Sequence, residues 1–258
     1  MLKKVLFCAA LLIFSLVMVA GCGNGNVNGE AVTASTYSDA TYTAVSANAN
    51  ARGFVELTLS IAGDEIVDVT MVEYDGFGNP KDYDSYGREG AFDGSDLQAA
   101  HEALAAAMVD NNTYNVDTVS GATSTSEKTM SAAQLAVEKA LVEPVSDNIY
   151  FDGTFFAVSD QDERGNLVIA LVTIENDVIS AVELAEATEG EDGFTLKDYE
   201  DYGQEGAFDG SDLQAAHEAL AAAMVDNNTY DVDTVSGATG TSGKAVEAAK
   251  NALEAAKR

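Results

Sequence analysis

KDYDSYGREGAFDGSDLQAAHEALAAAMVDNNTYNVDTVSGAT, residues 81–123, returns at 197–239 with four changes: Asp84/Glu200, Ser85/Asp201, Arg88/Gln204 and Asn115/Asp231. Both copies close on Asp-Thr-Val-Ser-Gly-Ala-Thr. So little drift predicts two tandem domains with equivalent sites. Upstream the copies diverge, but Thr41–Ser46 (TYTAVS) still aligns with Thr154–Ser159 (TFFAVS).

In the first copy Val55, Leu57, Leu59 and Ile61 alternate with Glu56, Thr58 and Ser60, the pattern of a strand with one buried face. Ala62-Gly63-Asp64 supplies a turn, and Ile66–Val72 the returning strand. Leu167–Ile174, Glu175-Asn176-Asp177 and Val178–Leu184 repeat the arrangement. The second hairpin is more continuously apolar, which predicts a sheet covered on both faces. A polar, glycine-bearing loop follows, and Ser95-Asp96-Leu97-Gln98 has the form of a capping box opening a helix over Asp96–Asp110. Leu97, His101, Leu104 and Met108 form its apolar stripe, and Asn111-Asn112 ends it. A last helix is expected over Ser126–Leu141, and over Ser242–Lys257 in the second copy. Strands first and helices after make the fold α+β, each domain a small, mostly antiparallel sheet flanked by helices.

The expected organisation is a leader over 1–21, a flexible tether over 22–39, a first domain over 40–142, a linker over 143–148 and a second domain over 149–258. Lys3 and Lys4 precede a short apolar run, Val5–Val17, that ends at Val19-Ala20-Gly21-Cys22. The run is too short to read as a spanning helix. The ending resembles a bacterial lipobox, which implies lipidation of Cys22 and anchoring at the extracytoplasmic face of the cell membrane. Loss of the leader also removes Cys8, so no second thiol remains for a disulfide or an iron–sulfur cluster. The chain has 13 Lys and Arg against 43 Asp and Glu, a net charge of −30. Without Lys3 and Lys4 it would be 11 against 43, or −32. Such a chain repels nucleic acid.

The closing heptapeptide sits between an extended link and a helix start. Gly121 suits a positive φ and leaves room for a ligand against the backbone. Thr123 then presents a hydroxyl where the first helical N–H groups lack partners, a setting that favours a phosphate. The same holds for Gly237 and Thr239.

Asp117-Thr-Val-Ser120-Gly121-Ala122-Thr123 and Asp233-Thr-Val-Ser236-Gly237-Ala238-Thr239 resemble the signature of covalent FMN-binding domains. These occur in the C subunit of the sodium-pumping quinone reductase and the G subunit of its Rnf relatives. The resemblance implies FMN joined by a phosphoester to Thr123 and Thr239, attached from FAD by a dedicated flavin transferase. Asp117, Ser120, Gly121 and Ala122, with Asp233, Ser236, Gly237 and Ala238, would form the recognition element and phosphate cradle. It further implies a non-enzymatic electron carrier. Its donor would be a membrane quinol- or NADH-linked dehydrogenase, and its acceptor an extracellular species such as ferric iron or a soluble flavin. The alternatives are the flavin-bearing subunit of a larger reductase, or an acidic surface-binding lipoprotein.

Other motifs carry less. Ala238-Thr-Gly-Thr-Ser-Gly243-Lys244-Ala245 lacks the first glycine and the final hydroxyl of a phosphate loop. The run from Asp82 to Asp93 places Tyr86 where a calcium loop needs an oxygen ligand. His101 and His217 read as packed helix histidines. Tyr83, Tyr86 and Phe92 are either ring contacts for the flavin or anchors for their loop.

Overall fold

The computed structural model describes residues 35–87, 92–200, 203 and 208–258. Cys22, the leader and most of the tether lie outside the described residues. Two tandem α+β domains fill the rest. The first has an antiparallel sheet of β1 (Ala40–Val45), β2 (Phe54–Ala62) and β3 (Glu65–Tyr74), in that order. Helices α1 (Gly94–Asn111) and α2 (Thr123–Ala140) cover one face. The second has β4 (Gly153–Val158), β5 (Asn166–Glu175), β6 (Val178–Gly190) and β7 (Gly193–Leu196), with α3 (Gly210–Asn227) and α4 (Thr239–Ala255).

The hairpins follow from two-residue turns. Gly63 and Asp64 take φ of 62° and 65°, and Asn176 and Asp177 take 52° and 63°. Successive positive φ values match the twist of paired strands. Each aspartate also fastens the domain entrance, since Asp64 Oδ1 accepts from Tyr37 N (2.8 Å) and Asp177 Oδ1 from Tyr150 N (2.9 Å). Tyr37 and Ser38, assigned to the tether on sequence, pair instead with Leu141 and Ala140. The strand β6 runs six residues past Leu184, and β7 was not foreseen. Acidic Glu183, Glu186 and Glu189 break the apolar pattern there, while backbone pairing to β5 carries the strand on.

The continuous apolar run of β5 has a physical cause. Val168, Ala170, Val172 and Ile174 face the helices, while Leu167 and Ile169 join Phe156, Ala187 and Ala49 on the opposite face. The first domain covers that second face. Phe54 stacks on Phe156 with centroids 5.3 Å apart, and Phe77 on Phe194 at 5.8 Å. Thr154 N donates to Ala47 O (2.7 Å), and Ala49 N donates to Thr154 O (3.1 Å). The main core cluster is likewise common to both domains, with alanine-rich faces of α2 and α4 packed close to the sheets.

The helix starts differ from expectation. The N-cap of α1 is Asp93, not Ser95. Its carboxylate accepts from Ser95 N (2.9 Å) and Asp96 N (3.3 Å), while that of Asp96 accepts from Asp93 N (3.2 Å). Gly94 begins the helix because a Cβ there would lie 1.8 Å from Tyr83 O. Asp209, Asp212 and Gly210 repeat this. The helix α2 begins at Thr123, three residues before Ser126, and α4 at Thr239. Ser126 is an internal fastener. Its Oγ donates to Ala122 O (2.9 Å) and accepts from Val119 N (3.0 Å), tying the preceding link to the helix.

Phe155 is wholly buried in the common core. Phe155→Ala is expected to lower stability by about 3–5 kcal/mol in urea titration. Because the two domains share that core, both should melt in one transition, before and after the substitution.

Candidate functional site

Thr123 and Thr239 are each the first residue of a helix, and both are exposed. Neither helix has a side-chain cap, the preceding residues being Ala122 and Ala238. The first-turn N–H groups therefore point outward with the positive end of the helix dipole behind them. Gly121 and Gly237 both take φ of 83°. A Cβ on Gly121 would meet nothing nearer than a Phe92 ring atom at 4.0 Å, and one on Gly237 nothing within 4 Å. The glycines thus give a left-handed turn and an open approach. Ala122 and Ala238 are buried and anchor the turn.

The hydroxyl of Thr123 opens on a cleft of about 420 Å³. One wall is the helix start from Gly121 to Thr125, and the others carry Arg52, Lys81 and Lys128, Glu73 and Asp75, and the rings of Tyr86 and Phe92. Behind Gly121 lies a second groove of about 390 Å³, bounded by Phe92, Asp96, Ala99, Val119 and Ser120. The second domain repeats that groove at about 370 Å³ with Phe208, Asp212, Ala215, Val235 and Ser236. Tyr86 and Phe92 thus border the site, while Tyr202 lies outside the described residues.

Beneath the first cleft is a buried polar cluster. Glu73, 4% exposed, accepts from Lys81 Nζ (2.7 Å) and Thr125 Oγ1 (2.9 Å). His101 Nε2 stands 3.5 Å from the same carboxylate, and Tyr83 Oη lies 2.8 Å from His101 Nδ1. Burial raises the pKa of Tyr83, which keeps the phenol protonated. A phenol donating to Nδ1 leaves Nε2–H facing Glu73. Burial alone would raise the pKa of Glu73, but the imidazole of His101 beside it, hydrogen bonds from Lys81 and Thr125 and the charge of Lys81 together bring it down to about 2. In the second domain Glu186 accepts from Lys197 (2.6 Å) and Thr241 (2.9 Å), and Tyr199 meets His217 at 2.8 Å. The carboxyl of Glu186 is likewise held low against its burial, and burial lowers the pKa of His217. The histidines are packed, as expected, and they also brace the tyrosine of the preceding loop.

The two helix lysines differ in their partners. Lys128 Nζ donates to two neutral oxygens, Gly53 O (2.7 Å) and Asn50 Oδ1 (3.4 Å). Lys244, its counterpart, meets two carboxylates, Asp162 Oδ2 (2.7 Å) and Glu186 Oε1 (3.2 Å). The difference arises outside the copied block, in the turn before the central strand.

Of the residues picked out in the sequence, Gly121, Ala122 and Thr123 line the first cleft, and Ser120 the groove behind it. Ser236, Gly237 and Ala238 line the second-domain groove. Asp117 and Asp233 sit exposed on the extended links, outside the described clefts. Sequence reasoning missed Glu73 and Glu186, Thr125 and Thr241, and Arg52. A glutamate on an otherwise apolar strand face and a threonine two places after each Gly-Ala-Thr threonine were the available signals.

The FMN-binding domain family matches this chain twice, over residues 50–138 and 165–254. The chain therefore belongs to that family and is a flavoprotein with two FMN-binding domains in tandem. No curated protein matches it. Among solved structures it is similar to the CPE2226 protein from Clostridium perfringens, at 20% identity and a TM-score of 0.33, over 40% of this chain and 88% of that one.

Glu73→Gln tests the floor of the site. A carboxyl whose pKa falls from 4.5 unfolded to about 2 folded contributes stability above pH 4.5 that is lost as pH falls toward 2. The shift is equivalent to about 3 kcal/mol. Denaturant titrations should show the variant weaker than the parent at pH 7, with the gap closing between pH 4.5 and 2.

Proposed function

We propose that each domain carries FMN bound covalently, its phosphate esterified to Thr123 in the first and to Thr239 in the second. The observation that carries this reading is the exposed hydroxyl at the first position of an uncapped helix, opening in the first domain on a cleft with three cationic side chains. A helix N-terminus attracts a phosphate, and the lysines and arginine add charge to hold it against a chain of net −30. When bound, the flavin supplies the electron chemistry. The chain's residues place the hydroxyl, leave backbone room at Gly121 and Gly237, and fix the helix start to the sheet through Thr125 and Thr241. Asp117 and Asp233, exposed on the links, suit recognition by a flavin transferase that takes the nucleotide from FAD.

In this reading the protein is an electron relay rather than an enzyme. It is tethered by lipidated Cys22 to the extracytoplasmic face of the cell membrane. It takes electrons from a quinol- or NADH-linked membrane dehydrogenase and delivers them to an extracellular acceptor such as ferric iron or a soluble flavin. A covalent bond suits that location, since flavin lost from an exported protein is diluted into the medium.

The protein co-expressed with a flavin transferase should gain the mass of two phosphoester-linked FMN groups. Thr123→Val and Thr239→Val should each lose one, and the double variant should be colourless. Two additions on the double variant would place the attachment elsewhere.

A further inference from the structure

The second domain's sheet is only partly covered on the face turned away from its helices. There Ile169 pairs across the strands with Ala185, and Leu171 with Glu183, while Leu196 of β7 lies opposite Ala187. The first domain covers part of this strip, through the stacks of Phe54 on Phe156 and Phe77 on Phe194. The rest opens as a cleft of about 250 Å³ between the domains. Ile169, Leu171, Ala185 and Leu196 belong to its second-domain wall, and Ala51, Asp75, Gly76 and Phe77 form the wall from the first domain. Leu196 is 52% exposed. Concave, mainly apolar sites at domain interfaces are where ring-bearing ligands bind, oriented by a few polar groups.

This cleft adjoins the one at Thr123. Asp75 and Gly76 border both, and Ala51 of one precedes Arg52 of the other. A Cβ on Gly76 would lie 2.1 Å from Ala51 O, so at that point the shared edge is backbone held against backbone. The two clefts differ as the two ends of FMN do. Arg52, Lys81 and Lys128 gather positive charge beside Thr123, which suits the phosphate. Among the described residues the interdomain cleft has no cationic side chain in its wall and is mainly aliphatic, which suits the ring, uncharged when oxidised. Asp75 and Glu183 supply carboxylate acceptors for the ring's N–H edge. Within the first cleft the ring finds less. Lys81 Nζ already stands 4.8 Å from the centroid of Tyr86, and Phe92 is divided between that cleft and the groove behind Gly121.

We propose that the isoalloxazine ring of the flavin on Thr123 sits in the interdomain cleft, so that Leu171, Ala185 and Leu196 of the second domain complete the first domain's flavin site. This rests on the reading that Thr123 carries FMN. The second domain then serves as a wall for its neighbour's flavin as well as a carrier of its own. Loading removes the open faces of Leu171 and Leu196 from water against the ring. The seat belongs to the tandem arrangement, not to either repeat alone, because one wall comes from each domain.

Single-flavin chains make this measurable. Thr239→Val keeps only the flavin on Thr123, and Thr123→Val only that on Thr239. Each chain, full length and shown by mass to carry one flavin, is titrated with iodide at constant ionic strength, and quenching of flavin fluorescence reads how exposed the ring is. Ala185→Phe fills the interdomain cleft. A pocket buries most of a bound ring, so loss of the seat should raise the first flavin's quenching constant roughly two-fold or more. The second flavin should not respond, since Ala185 packs on the face away from α4. Leu196→Gln, at a half-exposed position, removes apolar wall without crowding the cleft and should raise the first flavin's constant by a smaller factor. A constant unmoved by both substitutions, or moved only by Tyr86→Ala, would overturn the proposal while leaving covalent flavinylation intact. Single-threonine chains that load no flavin would instead remove the reading beneath it.

Discussion

The hydrogen bond from Thr125 to Glu73, repeated from Thr241 to Glu186, is the joint on which the site depends. At 2.9 Å in both domains it fixes the start of the last helix to the sheet, two residues after the threonine that faces solvent. An uncapped helix end would ordinarily fray. Here the carboxylate holds it from below, Ser126 and Ser242 hold the preceding link, and the free N–H groups stay directed outward. The carboxylate is itself kept ionised in a buried place by hydrogen bonds from a lysine and from that threonine. A group that holds a helix end open thus also brings cations to the floor beneath it.

The second constraint is the common core. Two domains of this size could each fold alone, but the outer face of β5 is apolar and the first domain covers it. The aromatic contacts of Phe54 with Phe156 and Phe77 with Phe194 set the domains side by side. The same contacts place the first cleft next to the apolar cleft that leads toward Lys197. The packing that stabilises the pair therefore also sets how near the two sites lie.

Much of this was legible in the sequence. Alternation of Val55, Leu57, Leu59 and Ile61 named the central strand and its buried face, and the last helices were placed within three residues of their starts at Thr123 and Thr239. The apolar character of Leu167–Ile174 announced a second covered face. The missed parts have physical reasons. Asp93 caps α1 because Gly94 alone fits against Tyr83, a tertiary contact that no local pattern reports. Ser126, where the helix was expected to begin, lies inside it and ties down the link. The different partners of Lys128 and Lys244 do not show in the copied block, because Asn50 and Asp162 lie outside it.

The central claim is that a hydroxyl at the head of each last helix carries a flavin phosphate. The most direct measurement is tandem mass spectrometry of peptides spanning 117–127 and 233–243 from the exported, transferase-treated protein. The account predicts FMN on Thr123 in the first peptide and on Thr239 in the second. Unmodified threonines in both, from a protein whose transferase is active on another substrate, would contradict it.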